Sequence, residues 1–385
     1  MPQFRSQPRS QPRPQPWLRP VGPRHARRRR GGHARQRRPR STAYRLLALT
    51  VALLSVLSMS SFPQVRDRRA YVLADRSATT GIAIPGTTLL YDSSEALDAY
   101  LDGVVAAGVQ WLRFDAPWTQ IETAPGVRDW SNLDRVVTRA AERGLSIDLV
   151  LGTVAEWARP AGTDWRQGAS TTEQRDGFAV FGAAVAERYA DRVVAYEVWN
   201  EPNLPGSWAP QPNAADYLQL LRQTYAAVRA ADPEAVVVSG GTGGGSTGIA
   251  SLLWYESLYR AGLKDVCDAV AVHPYPDAPV LLSGEMAQAL EIRALMTANG
   301  DGDKALWGTE VGVPTGGTPS VDETVQATMV TGLHDVWATV PNRGPLMYYT
   351  LQDTGGTDRE GYFGLLRPDG SEKPAYSALR TLTDS

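Results

Sequence analysis

Tyr196-Glu197-Val198-Trp199-Asn200-Glu201-Pro202-Asn203 is the stretch on which the fold is decided. The apolar run Val193 to Trp199 has the length and composition of a strand buried on both faces, and Asn-Glu-Pro ends it. An amide and a carboxyl therefore stand side by side where a strand runs out. A second ending of this kind lies 109 residues later, in Leu306-Trp307-Gly308-Thr309-Glu310-Val311-Gly312.

Outward from these two endings the chain keeps one rhythm. Short apolar runs fall at Gly81–Pro85, Trp111–Asp115, Ser146–Gly152, Val193–Trp199, Ala235–Ser239, Ala269–His273, Ala305–Thr309 and Leu346–Leu351. Most lack polar alternation, which suits strands covered on both faces. Helical periodicity lies between them. Leu97, Leu101, Val104 and Val105 share a face, with Ser94 as a cap and Gly108 as the stop; Leu133, Val136, Val137, Ala140 and Ala141 repeat the pattern before Gly144. Phe178, Phe181, Val185 and Tyr189 mark a third helix, and five more segments follow as far as Ala375–Leu382. Strand–helix alternation means parallel strands joined by helical crossovers. Eight units predict a single α/β domain over residues 79–385, a closed (β/α)8 TIM barrel whose site lies at the carboxyl ends of the strands. Glu201 and Glu310 fall at such ends, on the fourth and seventh strands.

Two carboxyl groups so placed suit cleavage of a glycosidic bond: one protonates the leaving oxygen, the other attacks the sugar carbon or guides the attack. Glu197 lies on the same strand as Glu201 but four residues earlier, deep in the barrel, and reads as half of a structural ion pair.

The formal net charge of −2 averages two unlike parts. Residues 1–45 hold fourteen Arg and no acidic residue, which leaves 25 basic against 41 acidic residues in the remaining 340. This Arg/Pro-rich segment lacks the apolar content for a core and reads as disordered. Residues 46–60 carry a short apolar run, Leu46 to Met59, shorter than the roughly 20 residues that span a bilayer. Basic residues, apolar run and the small residues Ser58 and Ser60 together predict a signal peptide and secretion, with an uncleaved membrane anchor as the alternative; 61–78 is a linker. Nucleic-acid binding by the arginines is the weaker reading, because an export-type segment follows them. Cys267 is the only cysteine, so no intrachain disulfide is available, and it reads as a small buried side chain.

Trp199-Asn200-Glu201-Pro202-Asn203, His273-Pro274-Tyr275 and Trp307-Gly308-Thr309-Glu310 together resemble the retaining glycoside hydrolases of clan A. Val109–Trp118, Pro125–Asp134 and Gly361–Tyr376 narrow the resemblance to family 39 β-xylosidase-like and family 5 cellulase-like enzymes. The resemblance covers roughly residues 80–380. It implies Glu201 as acid/base and Glu310 as nucleophile, Arg113 and Tyr275 bonded to that nucleophile, and Asn200 donating to a sugar 2-hydroxyl, with His273 beside them. It implies no metal and no organic cofactor, and a poly- or oligosaccharide as partner.

Trp118, Trp157 and Trp208 follow strands two, three and four and are candidate platforms for sugar rings. Trp254 and Trp337 lie in helical segments and read as packing. The clan's tryptophan at the end of strand eight is absent; Tyr348-Tyr349-Thr350-Leu351-Gln352-Asp353 stands there, with Gln352 as a candidate polar contact. Gly243 to Gly248 matches a dinucleotide-binding spacing, but on the fifth of eight strands in a glycine-rich run, so it reads as a loop at the barrel mouth. The histidines His273 and His334 are not at ligand spacing for a metal. Two further readings stand beside the secreted hydrolase: a membrane-tethered hydrolase that trims the cell's own exopolysaccharide, and a carbohydrate-binding barrel without catalysis.

Overall fold

Eight parallel strands close on themselves in the computed structural model, which describes Arg69 and residues 79–84, 86–245 and 247–384. They are β1 (Thr80–Ala83), β2 (Trp111–Pro117), β3 (Ser146–Gly152), β4 (Ala195–Val198), β5 (Val236–Ser239), β6 (Ala269–Val272), β7 (Ala305–Val311) and β8 (Arg343–Tyr349). Each pairs with its neighbours in sequence, and β1 pairs with β8 to close the barrel. The segments 1–45 and 46–60, and the linker 61–78 apart from Arg69, lie outside the described residues. No helix among the described residues is long and apolar enough to cross a membrane.

Helices return the chain from the carboxyl end of one strand to the amino end of the next. They are α1 (Ser94–Ala106), α2 (Ser131–Glu142), α3 (Thr172–Tyr189), α4 (Ala214–Ala231), α5 (Ser251–Arg260), α6 (Gly284–Ala298), α7 (Glu323–Ala338) and α8 (Pro374–Thr383). The caps are local chemistry. Ser93, one residue before the expected Ser94, accepts from the backbone N–H of Ala96. Thr171 and Gln174 form a reciprocal capping box at α3. Gly108 and Gly144 follow α1 and α2 with φ of 74° and 76°, a conformation that side chains with a Cβ resist. Val105, counted above on the apolar face of α1, is exposed.

Two cores result. The larger lies between strands and helices and takes the periodic residues of both. The smaller fills the barrel itself, where small residues such as Ala195, Ala269, Ala271 and Ala305 leave room for Trp111 and Trp307. Those two indoles meet edge to face, centroids 5.0 Å apart. They form a solid floor, so polar groups can collect only above it, at the carboxyl ends of the strands.

Candidate active site

A regular strand sends neighbouring side chains to opposite faces. The end of β4 breaks that rule. Trp199 and Glu201 adopt positive φ, 74° and 46°, which residues other than glycine rarely do. Hydrogen bonds hold this backbone: Trp199 N–H donates to Leu151 O at 2.8 Å and Glu201 N–H to Gly241 O at 2.9 Å. As a result Asn200 and Glu201 both reach groups inside the mouth.

β7 achieves the same by a bulge. Leu346 of β8 lies opposite Gly308 and Tyr348 opposite Val311, so β7 spends three residues where β8 spends two. The extra residue lets Thr309, fully buried, and Glu310 both turn inward.

Arg113 ties the two ends together. Its Nη1 donates to Glu310 Oε1 at 2.6 Å, its Nε to Glu197 Oε2 at 2.7 Å, and its Nη2 to Asn200 Oδ1 at 2.7 Å and Glu197 Oε1 at 3.1 Å. Glu197 is fully buried and also accepts from the N–H of Gly241 at 2.7 Å. Burial opposes ionisation of Glu310, yet His273, Arg113 and the hydrogen bond from Tyr275 outweigh it and hold its pKa below the usual 4.5. Tyr275 donates its phenol proton to Glu310 Oε2 at 3.0 Å, and burial together with the Glu310 charge keeps that phenol neutral.

His273 stands between the carboxylates. Its Nδ1 is 3.1 Å from Glu201 Oε1 and 3.6 Å from Glu310 Oε2. Burial pulls the imidazole pKa down, but the two glutamates outweigh it and the net shift is upward. Oxygens of Glu201 and Glu310 and a His273 nitrogen lie within 4.8 Å of one another. Sequence spacing gave no metal constellation, yet this trio has the proximity that a cation would need. A guanidinium already bonds Glu310 there.

The glycine run after β5 packs against this centre. An ideal Cβ on Gly241 would lie 2.3 Å from His273 Nε2 and 2.6 Å from Thr309 Oγ1. One on Gly243 would lie 2.1 Å from Glu201 Oε1. Asn203, fully buried, clamps the loop by donating to Gly243 O at 2.8 Å and accepting from Gly243 N–H at 3.1 Å. Both backbone groups of Gly243 are thereby committed to the active-site wall.

The tryptophan expectations need correction. Trp118 is 1 % exposed, stacked on Phe181 and edge-on to Phe178 of α3, with its N–H on Glu122. Trp208, also 1 % exposed, packs on Trp199 and Tyr217. Neither presents a face to a sugar. Both were placed from loop position, and the tertiary fold tucks those loops back over the helices. Trp157 is 39 % exposed beyond β3 and keeps an open face. Gln352 donates to Pro368 O at 3.0 Å and lines a cleft of about 630 Å³ between α1 and the turn after β8, which none of the residues bonded to Glu310 lines. Trp254, Trp337 and Cys267 are buried in the core.

Residues 75–340 match the cellulase family, glycosyl hydrolase family 5. This chain belongs to that family. Among solved structures, the family 5 chain is similar to a family 39 glycoside hydrolase from the gut symbiont Bacteroides cellulosilyticus WH2, with TM-score 0.65 and 23% identity over 83% of this chain and 65% of that one. A subfamily 18 member of family 5 from Streptomyces cattleya, solved with GlcNAc, superposes with TM-score 0.63 and 19% identity over 80% of each chain. A family 39 β-xylosidase from Caulobacter crescentus gives TM-score 0.62 and 21% identity over 80% of this chain and 72% of that one. At these identities the likeness is one of fold. No curated protein matches the chain.

In the family 5 chain several site residues escaped the sequence reading. Asp115 and Asp148 share the barrel interior with Arg113, and period two along β2 was the available signal for Asp115. Asp148 is fully buried, with neither carboxyl oxygen hydrogen-bonded among the described residues. Burial first, then the Glu197 charge, push its pKa well above 3.8.

Proposed function

We propose that this family 5 chain is a retaining glycoside hydrolase of poly- or oligosaccharides, with Glu310 as nucleophile and Glu201 as acid/base. The observation that carries the reading is the carboxylate pair: oxygens within 4.8 Å of one another, one group held ionised by Arg113 and Tyr275, the other against a histidine. Retention calls for carboxyl groups about 5–5.5 Å apart, whereas inversion needs about 6.5–9.5 Å to admit a water.

In the first step a Glu310 oxygen attacks the anomeric carbon while Glu201 gives its proton to the departing oxygen. The sugar–aglycone C–O bond breaks and a glycosyl ester forms on Glu310. In the second step Glu201, now ionised, takes a proton from water as that water attacks the anomeric carbon and Glu310 leaves. Asn200 accepts from Arg113 through its Oδ1, so its amide hydrogens are the end available to a sugar hydroxyl. The open face of Trp157 supports a stacking role further along the cleft.

The basic segment 1–45 followed by the apolar segment 46–60 supports export, by cleavage of a signal or by retention as an anchor. Secretion after signal cleavage is the reading adopted, and the long basic segment would suit the alternative, an anchored form acting on the cell's own exopolysaccharide; fractionation separates the two, since a tethered enzyme stays with membranes.

The test is reducing-end release from a panel of plant and bacterial polysaccharides by the parent chain, Glu201→Gln and Glu310→Gln, with the first-formed anomer read by NMR. Release by the parent alone, with configuration retained, is expected. Release by Glu310→Gln at the parent rate, or an inverted first product, refutes the assignment.

A further inference from the structure

Most polar side chains around the barrel mouth are already bonded to one another. Glu310 takes Arg113 and Tyr275, Glu201 takes His273, and Asn200 takes Arg113. Asp115 is different. It follows Arg113 by two residues on β2. Trp111, Arg113 and Asp115 share the inward face, since Trp111 packs on Trp307 inside the barrel and Arg113 reaches Glu197 and Glu310. Two strand residues advance about 6.5 Å, so Asp115 stands one layer nearer the mouth than the guanidinium.

Asp115 is half-buried, and no hydrogen bond or ion pair reaches its carboxyl from any described residue. Loss of water pushes its pKa up to about 7, with Arg113 pulling it down and Glu310 and Glu197 adding repulsion. A carboxyl stripped of water without a partner lowers stability. Such a group is retained where a ligand completes it, and sugar hydroxyls are the donors the proposed chemistry brings.

We infer that Asp115 is a substrate-binding residue: it hydrogen-bonds hydroxyls of the sugar held against Glu310, and in its ionised form it keeps uronate units out of that position. The inference rests on the hydrolase reading and names the substrate class as sugars without a carboxylate. The cations of this centre among the described residues are Arg113, whose hydrogen bonds run to Glu197, Glu310 and Asn200, and His273 when protonated, which is engaged by Glu201 and Glu310. A uronate would bring a further negative charge beside Asp115 and Glu310 with no uncommitted cation to meet it. Glu360, on the turn after β8, feels the same charges: burial chiefly raises its pKa, the neighbouring Arg359 opposes this, and Asp358, Glu310 and Glu201 add to it.

The experiment measures binding by calorimetry at about pH 8, where Asp115 with its pKa of about 7 is mostly ionised, in the full chain carrying Glu201→Gln, which slows turnover, with and without Asp115→Asn or Asp115→Ala. Ligands are neutral oligomers (cello-, manno- and xylo-oligosaccharides) and uronate oligomers (oligoglucuronate, oligogalacturonate, oligomannuronate). Neutral oligomers should bind and uronates should not. Asp115→Ala should weaken neutral binding about tenfold or more, the loss of a charge-assisted hydrogen bond, and Asp115→Asn should narrow the gap between neutral and uronate ligands by a similar factor. Uronate binding as tight as neutral binding in the parent, or neutral binding within about twofold of the parent in Asp115→Ala, overturns the inference. Reducing-end release is read in parallel. Cleavage of a uronate polymer by the parent overturns the inference and leaves the hydrolase reading intact, whereas the absence of any Glu310-dependent release overturns the hydrolase reading and the inference with it.

Discussion

The carboxyl of Glu201 occupies the space that a side chain on residue 243 would need: an ideal Cβ on Gly243 falls 2.1 Å from Glu201 Oε1 and 3.0 Å from Leu204 Cδ1. Asn203 holds the loop at that distance through both backbone groups of Gly243. The glycine therefore acts on the site by what it lacks. Gly243→Ala should swing Glu201 out of line, because a carboxyl end moves more readily than a clamped backbone. A misplacement of about 1 Å costs on the order of 100-fold in rate. We expect kcat to fall by that order while the thermal midpoint moves by a few degrees at most, measured by steady-state kinetics beside calorimetry. Activity within about twofold of the parent would show that the contact does not govern Glu201.

Tyr275 is one of the groups that hold Glu310 below its usual pKa, acting with His273 and Arg113 against the effect of burial. Activity needs Glu310 ionised, so it is lost as pH falls through that pKa. Removing the phenol donor raises the pKa and should carry the acid limb of kcat/KM to higher pH. For Tyr275→Phe the profile from about pH 3 to pH 7 should show this shift together with a roughly tenfold loss at the optimum. An unmoved limb would mean that the hydrogen bond contributes nothing to the ionised state.

The two glutamates are told apart by azide. With Glu201→Ala and an aryl glycoside whose leaving group needs no acid, the glycosyl ester on Glu310 should form and then accumulate, because no base activates water. Azide needs no base, so it should restore turnover and give a glycosyl azide of retained configuration, whereas Glu310→Ala with azide should give the inverted product. NMR of the products reads the outcome; the opposite pairing would exchange the two roles.

Trp118 and Trp157 sit edge to face at 5.5 Å, yet they should answer mutation differently. Trp118 is buried against α3, so Trp118→Ala should cost about 3–5 kcal/mol of stability by leaving a cavity. Trp157 is 39 % exposed, and Trp157→Ala should leave unfolding nearly unchanged while raising KM for long substrates. Denaturant melts and KM values on a series of chain lengths check the pair. A Trp157→Ala protein that unfolds as easily as Trp118→Ala would place Trp157 in the core.

Asp148 carries a stability prediction with a definite sign. Its folded pKa is raised well above 3.8 by burial and by Glu197, so between the unfolded and folded pKa values the folded state holds a proton that the unfolded chain has released. The group therefore favours folding in acid and weakens it as pH rises towards the folded pKa. Asp148→Asn, neutral at every pH, should raise the thermal midpoint at about pH 8 and leave it nearly unchanged at about pH 4. A midpoint lowered at both would mean that Asp148 is ionised in the fold and paired with Arg113.

Much of this was readable along the chain because it is local. Eight apolar runs and the helices between them follow from hydrophobic period and capping, and each expected strand overlaps an observed one. Glu201 and Glu310 were legible as strand endings, and Glu197 as a buried partner because it sits four residues deeper on the same strand. The tryptophans were not legible: whether a loop indole is exposed or folds back onto the helices depends on packing between segments far apart in sequence, which is why Trp118 and Trp208 prove buried while Trp157 is 39 % exposed. The use of the glycine run was hidden for a like reason, since Gly243 is shaped by Glu201 forty-two residues before it.

The order of residues by itself determined the class of fold, the strands that carry the carboxyl groups and the depth at which each lies, because periodicity and chain direction are local properties. Only the closed barrel decided that Arg113 joins Glu197 to Glu310, that His273 lies between the two glutamates and that Asp115 has no hydrogen-bond or ion-pair partner among the described residues. Those relations depend on the rotation of each strand about the barrel axis, on two positive-φ residues and on one bulge, and they exist only once all eight strands have closed.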